Sequence, residues 1–147
     1  MENNILRTLI GESFMLKRSL PRLEELCWSD EKEFLLRYSD LAEFMEIRKW
    51  SKDLIVQCYT HIKHNIVPSC SNLEAMINKI KGIMADDPIK IVNQYRVYLM
   101  QSSSGISILE GKHRVSALLI NNALANNNEL KATTITLSCF LGREISR

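Results

Sequence analysis

Residues 106–124 read ISILEGKHRVSALLINNAL, and this stretch decides the fold. A short apolar run that is typical of a β-strand leads into Glu110, Gly111, Lys112, His113 and Arg114. The segment that follows is so apolar that it predicts a buried helix. A strand that passes directly into a helix needs a sharp turn, and Gly111 supplies the backbone freedom for it. Charged side chains are therefore expected at the mouth of a buried helix.

The start of such a helix attracts anions. Its first amides have no intrahelical acceptor, and the aligned peptide dipoles place roughly half a positive charge there. Lys112, His113 and Arg114 would add donors, and the guanidinium of Arg114 matches two phosphate oxygens at once. The turn therefore predicts a phosphate site. On a plainer interpretation, Gly111 only makes the turn, and the basic side chains are solvated or paired with Glu110.

The flanking pattern predicts an α+β fold. The helix of residues 114–125 should pack on one face of a small mixed sheet. A second helix, with the capping pattern of Ser71 to Glu74, should precede this sheet. Alternating apolar residues predict its strands at 88–92, 95–100, 106–110 and 132–138.

The first half of the chain is expected to be helical. Asp30 and Glu33 resemble a capping box, and apolar residues follow it at helical spacing. Ser51 is placed to cap a further helix that ends before Pro68. We therefore expect a helical region over residues 1–68 and a second domain over residues 69–147.

The composition predicts a soluble, cytoplasmic protein. Of the 147 residues, 46% are hydrophobic and 24% are charged, and the net charge is only +2. This balance does not indicate a general nucleic-acid coat, so any basic site must be local. Glu2 stands where a secretory signal would carry positive charge, and no apolar run is long enough to span a membrane.

The cysteines and histidines invite a metal interpretation that we do not favour. The four cysteines are widely spaced, which suits reduced thiols better than a disulfide framework. Cys58, His61 and His64 drift around a helix axis, and Cys70 lies beyond Pro68. We therefore expect reduced thiols and no metal.

The residues Glu110-Gly111-Lys112-His113-Arg114-Val115-Ser116-Ala117 resemble the motif of the ParB/sulfiredoxin superfamily, an acidic residue followed by Gly-x-His-Arg-x-x-Ala. Ile77, Ile80 and Ile83 around Gly82, and the strand after Pro88, resemble the approach to that motif. The resemblance covers residues 71–138, about half of the chain.

The resemblance implies a nucleotide site. Members of the superfamily use this turn for CTP-gated DNA clamping, ATP-dependent sulfinic acid reduction or serine phosphorylation. By resemblance, Gly111, His113 and Arg114 would bind the phosphates of a nucleoside triphosphate with Mg²⁺. Lys112 stands at the variable position of the motif and would add a further donor to the phosphates. Glu110 and His113 would be the catalytic candidates, with Glu110 as metal ligand or base.

Two departures narrow the expectation. Lys112 replaces the cysteine of sulfiredoxins, so thiol chemistry is not expected. Little sequence follows the motif where ParB proteins carry a DNA-binding domain, so specific DNA clamping is not expected either.

Three functions remain open on the sequence. The first is a nucleotide hydrolase or phosphotransferase. The second is a non-catalytic regulatory or accessory module of the plasmid or phage type, with a protein partner on the N-terminal helices. The third is a protein that holds a nucleic-acid backbone phosphate, which the near-neutral charge does not favour.

Overall fold

The computed structural model describes residues 26–42, 44–45, 50–86 and 97–144. Two short 3₁₀ turns, Tyr38–Asp40 and Leu130–Ala132, join neighbouring elements. In chain order the strands and helices of the described residues are β1 Leu26–Trp28, β2 Lys32–Arg37, β3 Phe44–Met45, β4 Trp50–Ser51, α1 Lys52–His64, α2 Ser71–Ala85, β5 Tyr98–Ser102, β6 Gly105–Glu110, α3 Lys112–Ala125 and β7 Thr134–Glu144.

The main sheet is mixed and is organised around β7. One side of β7 pairs antiparallel with β1 and, further along, with β2. Its other side pairs in parallel with β5, which forms an antiparallel hairpin with β6. β3 and β4 form a separate two-stranded pair. Helices and a mixed sheet together make the fold α+β.

One face of the main sheet and the helices share a single apolar core. α3 lies at its centre, because Val115, Leu119, Ile120 and Ala123 are all completely buried. α3 packs against α2 and β7. The sheet contributes alternate side chains from β5, β6 and β7, namely Leu99, Ile108, Leu137, Cys139 and Leu141. Burial of these large side chains is the main force that stabilises the fold.

The sequence predicted several of the described elements after residue 51, although the last strand, Thr134–Glu144, extends well beyond the expected 132–138. The expected helices appear as α1, α2 and α3, and Gly82 lies near the end of α2. The expected hairpin is the pair β5 and β6, and the last expected strand is β7. The expected strand at 88–92 lies outside the described residues.

The helix predicted after Asp30 is wrong. Residues 32–37 form β2, which pairs with β7 from Lys32 opposite Cys139 to Arg37 opposite Thr134. Tyr38 and Leu41 are buried as the helical spacing suggested, but they follow a strand. Long-range pairing with β7 has overridden the local capping signal, which favours a helix only weakly.

The helical region predicted for residues 1–68 is thus confirmed only for α1. Residues 1–25 lie outside the described residues, and residues 26–37 contain β1 and β2. Strands from before and after residue 68 share the main sheet, and the domain boundary at that position stays a prediction. Across the described ranges, no helix combines the length and the apolar character that crossing a bilayer requires.

Candidate functional site

The 110–114 turn joins the edge of the sheet to the central helix. β6 ends at Glu110, and Gly111 is the residue immediately before α3. Gly111 has φ 97° and ψ 24°, a left-handed conformation that side chains other than glycine rarely adopt. Its carbonyl accepts the first helical hydrogen bond, from the Val115 amide at 2.9 Å. The strand therefore turns into the helix at a single residue.

Gly111 is buried, and its surroundings leave little room for a side chain. A Cβ atom built there would lie 3.1 Å from Cγ2 of Val97 and 3.5 Å from Nη1 of Arg114. Because Gly111 has no side chain, it supplies no capping group to the helix start. The space beside the Gly111 Cα atom is therefore bordered by the Val97 side chain and by the guanidinium of Arg114.

Arg114 and Glu110 are ion-paired across the turn. Nη2 of Arg114 lies 3.6 Å from Oε1 of Glu110, and the two side chains are 22% and 29% exposed. This distance is longer than a charge-assisted hydrogen bond, which is usually below 3 Å. The guanidinium is therefore held near the helix start while part of it still faces solvent.

Lys112 and His113 occupy the first turn of α3 and are half-buried. The Lys112 carbonyl accepts a hydrogen bond of 2.6 Å from the Ser116 hydroxyl, which fixes this turn of the helix. The structure therefore brings all five predicted site residues, 110–114, to one end of α3. The roles that the sequence predicts for them stay predictions.

Two site neighbours were not singled out from the sequence. Val97 forms the wall against Gly111, and Tyr98 lies opposite Glu110 in the β5–β6 register. The Tyr98 ring stacks on Phe140 at 5.1 Å between centroids and meets the Trp28 ring edge-on at 6.3 Å. The hairpin pattern could have indicated Tyr98, because a turn at 103–104 places the ends of the two strands opposite each other.

The side chains of the second candidate, around Cys58, have other contacts in the structure. Nδ1 of His61 lies 3.1 Å from the Ile66 carbonyl oxygen. The His61 ring therefore contacts the backbone that follows the C-terminal end of α1. In the part of the chain that the structure describes, no three histidine, cysteine, aspartate or glutamate side chains are grouped as metal ligands would be. The Cys58 side chain is instead part of the core.

The cysteines are free thiols in two distinct environments. Burial raises the pKa of Cys58 and of Cys139 to about 11. Cys70 is exposed at the start of α2, where the backbone amides of Leu73 and Asn72 lower the pKa of its thiol, although Sγ makes no capping hydrogen bond of ordinary geometry. Exposed and buried thiols should therefore differ sharply in reactivity.

No family model, curated protein or solved structure gives a significant match to this chain. The chemistry of the 110–114 turn therefore rests on its own geometry and on the motif that its residues form.

Proposed function

We propose that the 110–114 turn binds the phosphates of a nucleotide, as the motif does in the ParB/sulfiredoxin superfamily that it resembles. The observation that carries this proposal is the buried, left-handed Gly111 directly before α3. This conformation starts α3 directly after the strand, so that the positive end of the helix dipole and the first helical amides lie in the turn, where anions bind.

The neighbouring side chains suit a phosphate ligand. The planar guanidinium of Arg114 can donate hydrogen bonds to two phosphate oxygen atoms at once. Its Nη1 atom lies 3.5 Å from the position that a Cβ atom on Gly111 would take. Lys112 and His113 stand on the first helical turn, where positive charge adds to the field of the helix. The aliphatic wall of Val97 excludes water from one side and strengthens these interactions.

Mg²⁺ would accompany a nucleoside triphosphate at this site. The turn offers few ligands for Mg²⁺. Glu110 is its only carboxylate, and the described residues contain no cluster of metal ligands. Mg²⁺ keeps several waters and commonly binds through one or two carboxylates together with substrate phosphates. Glu110 would hold such a complex, with phosphate oxygens supplying most of the other ligands.

Phosphoryl transfer is the reaction that this arrangement would support. The oxygen of water or of an acceptor hydroxyl attacks the terminal phosphorus, and the bond from phosphorus to the bridging oxygen breaks. As the alternative to holding Mg²⁺, Glu110 takes the proton of the attacking oxygen, and His113 donates its own proton to the leaving phosphate oxygen. Arg114 and Lys112 stabilise the charge that develops on the phosphate oxygens.

A non-catalytic binding module is the second candidate function. It is favoured by the ion pair between Glu110 and Arg114, because a carboxylate that faces a guanidinium is less available to a reacting substrate. Such a module would bind the nucleotide and present the bound state to a partner. Both candidate functions require nucleotide binding at the same turn. Only the enzyme would also convert the bound nucleotide to products, so a measurement of turnover distinguishes them.

Thermal unfolding with a nucleotide panel tests the proposal. A ligand that binds only the folded state raises the melting temperature by mass action. We expect a nucleoside triphosphate with Mg²⁺, ATP or CTP among them, to raise it for wild type. Arg114→Ala should lose this shift, and Arg143→Ala, which removes an exposed arginine far along β7, should retain it.

Two outcomes would contradict the proposal. No nucleoside mono-, di- or triphosphate shifts the melting temperature at millimolar concentration, with or without Mg²⁺. Alternatively, Arg114→Ala responds to the nucleotide as wild type does. Release of inorganic phosphate by wild type, lost in Glu110→Gln, would favour the enzyme over the binding module.

A further inference from the structure

β2 forms an outer edge of the main sheet. The Tyr38 amide donates a 3.0 Å hydrogen bond to the Thr133 carbonyl, which continues the register of β2 with β7. The even-numbered residues of β2 therefore bond to β7. Because hydrogen bonds alternate along an antiparallel pair, the backbone groups of Glu33 and Leu35 point away from β7. No other described strand pairs with this edge.

The side chain of Leu35 is unusual for such an edge. Leu35 is 61% exposed, whereas its neighbour Leu36 is completely buried. The other exposed large apolar side chains among the described residues, Ile66 and Val67, lie in a connection between helices. Edge strands are usually protected by charge, and an exposed apolar side chain at an edge favours pairing with another strand.

We propose that β2 pairs antiparallel with β2 of a second copy of this chain, about a two-fold axis at Leu35. Glu33, Leu35 and Arg37 lie on one face of the strand, because side chains alternate. In this register Leu35 meets Leu35 of the partner subunit. Glu33 meets Arg37 of the partner subunit, and the symmetry repeats that contact on the other side of the axis.

The charge pattern specifies this register. Opposite charges across neighbouring strands are favourable, and a slip by two residues would place Leu35 against a charged side chain. The Arg37 side chain is 63% exposed, and only its Nε atom is bonded to Asp40, at 3.2 Å. Its terminal guanidinium nitrogen atoms can therefore reach a carboxylate on a neighbouring chain.

Asp40 limits the length of the pairing. Its Oδ2 atom also accepts a 3.2 Å hydrogen bond from the Arg37 backbone amide, which would otherwise point to the open edge. In the proposed register the Leu35 amide and carbonyl bond to Leu35 of the partner subunit, and the Glu33 amide bonds to the carbonyl of the partner's Arg37. A short edge of this kind forms a dimer with a defined end and not a continuous sheet.

Sedimentation equilibrium of the full chain over a range of concentrations tests the dimer. We expect a reversible monomer–dimer equilibrium. Leu35→Lys should raise the dissociation constant at least about ten-fold, because it places like charges opposite each other at the axis. Val67→Lys is the matched control: Val67 is 84% exposed but lies outside the sheet, so the dimer should persist.

Charge exchange tests the register. Glu33→Lys alone and Arg37→Glu alone should each weaken the dimer, since each homodimer then has like charges opposite each other. An equimolar mixture of the two variants should form a heterodimer, because Lys now faces Glu on one side and Arg faces Glu on the other. Failure of the mixture to associate more strongly than either variant would overturn the proposed register.

Two further results would overturn the dimer itself. One is a wild-type protein that stays monomeric at the highest concentration measured. The other is a dimer that Leu35→Lys leaves unchanged. Should Leu35→Lys fail to fold by circular dichroism, Leu35→Thr replaces it, because threonine favours strands and removes the apolar contact.

Discussion

The Nη2 atom of Arg114 lies 3.6 Å from the Oε1 atom of Glu110, one helical turn earlier in the chain. The contact joins the end of β6 to the start of α3 and brings a carboxylate next to the proposed phosphate site. Partly exposed ion pairs contribute little to folding, commonly below about 1 kcal/mol. Its main effect should therefore be on ligand binding.

Glu110→Gln tests that expectation. The substitution removes a negative charge beside the bound phosphates, so inorganic triphosphate without Mg²⁺ should bind more tightly than to wild type. The preference for the Mg²⁺ complex should decrease, and the free energy of unfolding should change by less than about 1 kcal/mol. Isothermal titration calorimetry with and without Mg²⁺ measures both affinities. An unchanged ratio of the two would show that Glu110 does not face the phosphate.

Gly111→Ala should destabilise the protein by about 1–3 kcal/mol, because the left-handed conformation is unfavourable for alanine. The new methyl group would also press on Val97. Gly82→Ala is the control, since a Cβ atom at this exposed helical position meets nothing within 4 Å. That variant should be more stable by about 0.5–1 kcal/mol. Chemical denaturation measures both, and equal effects would contradict the strain at Gly111.

Leu119→Ala should lower the free energy of unfolding by about 2–5 kcal/mol, because it opens a cavity in the core. Leu119 is completely buried in α3, whereas Leu35 is 61% exposed. Leu35→Ala therefore serves as the matched control, measured at a concentration low enough to keep the chain monomeric. A similar loss for the two variants would mean that α3 is not central to the core.

The thiols should react in two classes. An aromatic disulfide reagent should modify Cys27 and Cys70 in the folded protein, since both are exposed. Cys70 should react faster near neutral pH, because its lowered pKa increases the thiolate fraction. The buried Cys58 and Cys139 should react only after denaturant is added. Rapid modification of all four thiols in the native state would contradict this burial.

Alkaline pH should destabilise the fold through the same buried thiols. Burial raises the pKa of Cys139 to about 11 from its ordinary 9.0, with Lys32 opposing and Glu31 reinforcing the shift. The unfolded chain therefore loses this proton first. The protonated Cys139 thiol therefore makes its full contribution to the free energy of unfolding below pH 9. This contribution is lost as the pH rises towards 11. Denaturation from about pH 8 to about pH 10.5 should show a shallower decline for Cys139→Ala than for wild type.

Periodicity predicted the elements whose apolar pattern is long and regular. α1 and α2 carry apolar side chains at helical spacing, and α3 is buried along most of its length. The β5–β6 hairpin was predicted because two apolar runs flank a short polar turn. These features depend on interactions between residues that are close in the chain, so they can be predicted from the sequence.

The sequence indicated the residues of the candidate site, but it did not indicate the side chains that pack against them. Glycine before a buried helix, with basic residues after it, indicated the 110–114 turn. The ion pair between Glu110 and Arg114 is the pairing that the plainer interpretation of the sequence had named. The approach of Val97 to Gly111 needed the folded chain. Contacts of this kind depend on distance in space, and spacing along the chain does not encode them.

What the sequence by itself determined is the order of α1, α2, β5, β6, α3 and β7 among the described residues, together with the charged turn at the start of α3. Only the tertiary structure decided that residues 26–28 and 32–37 are strands, that β7 lies between them and β5, and that Leu35 remains exposed while Leu36 is buried. The physical reason is the range of the interactions. A helix forms its backbone hydrogen bonds within itself, whereas a strand completes them with a partner that lies, here, about a hundred residues away in the chain.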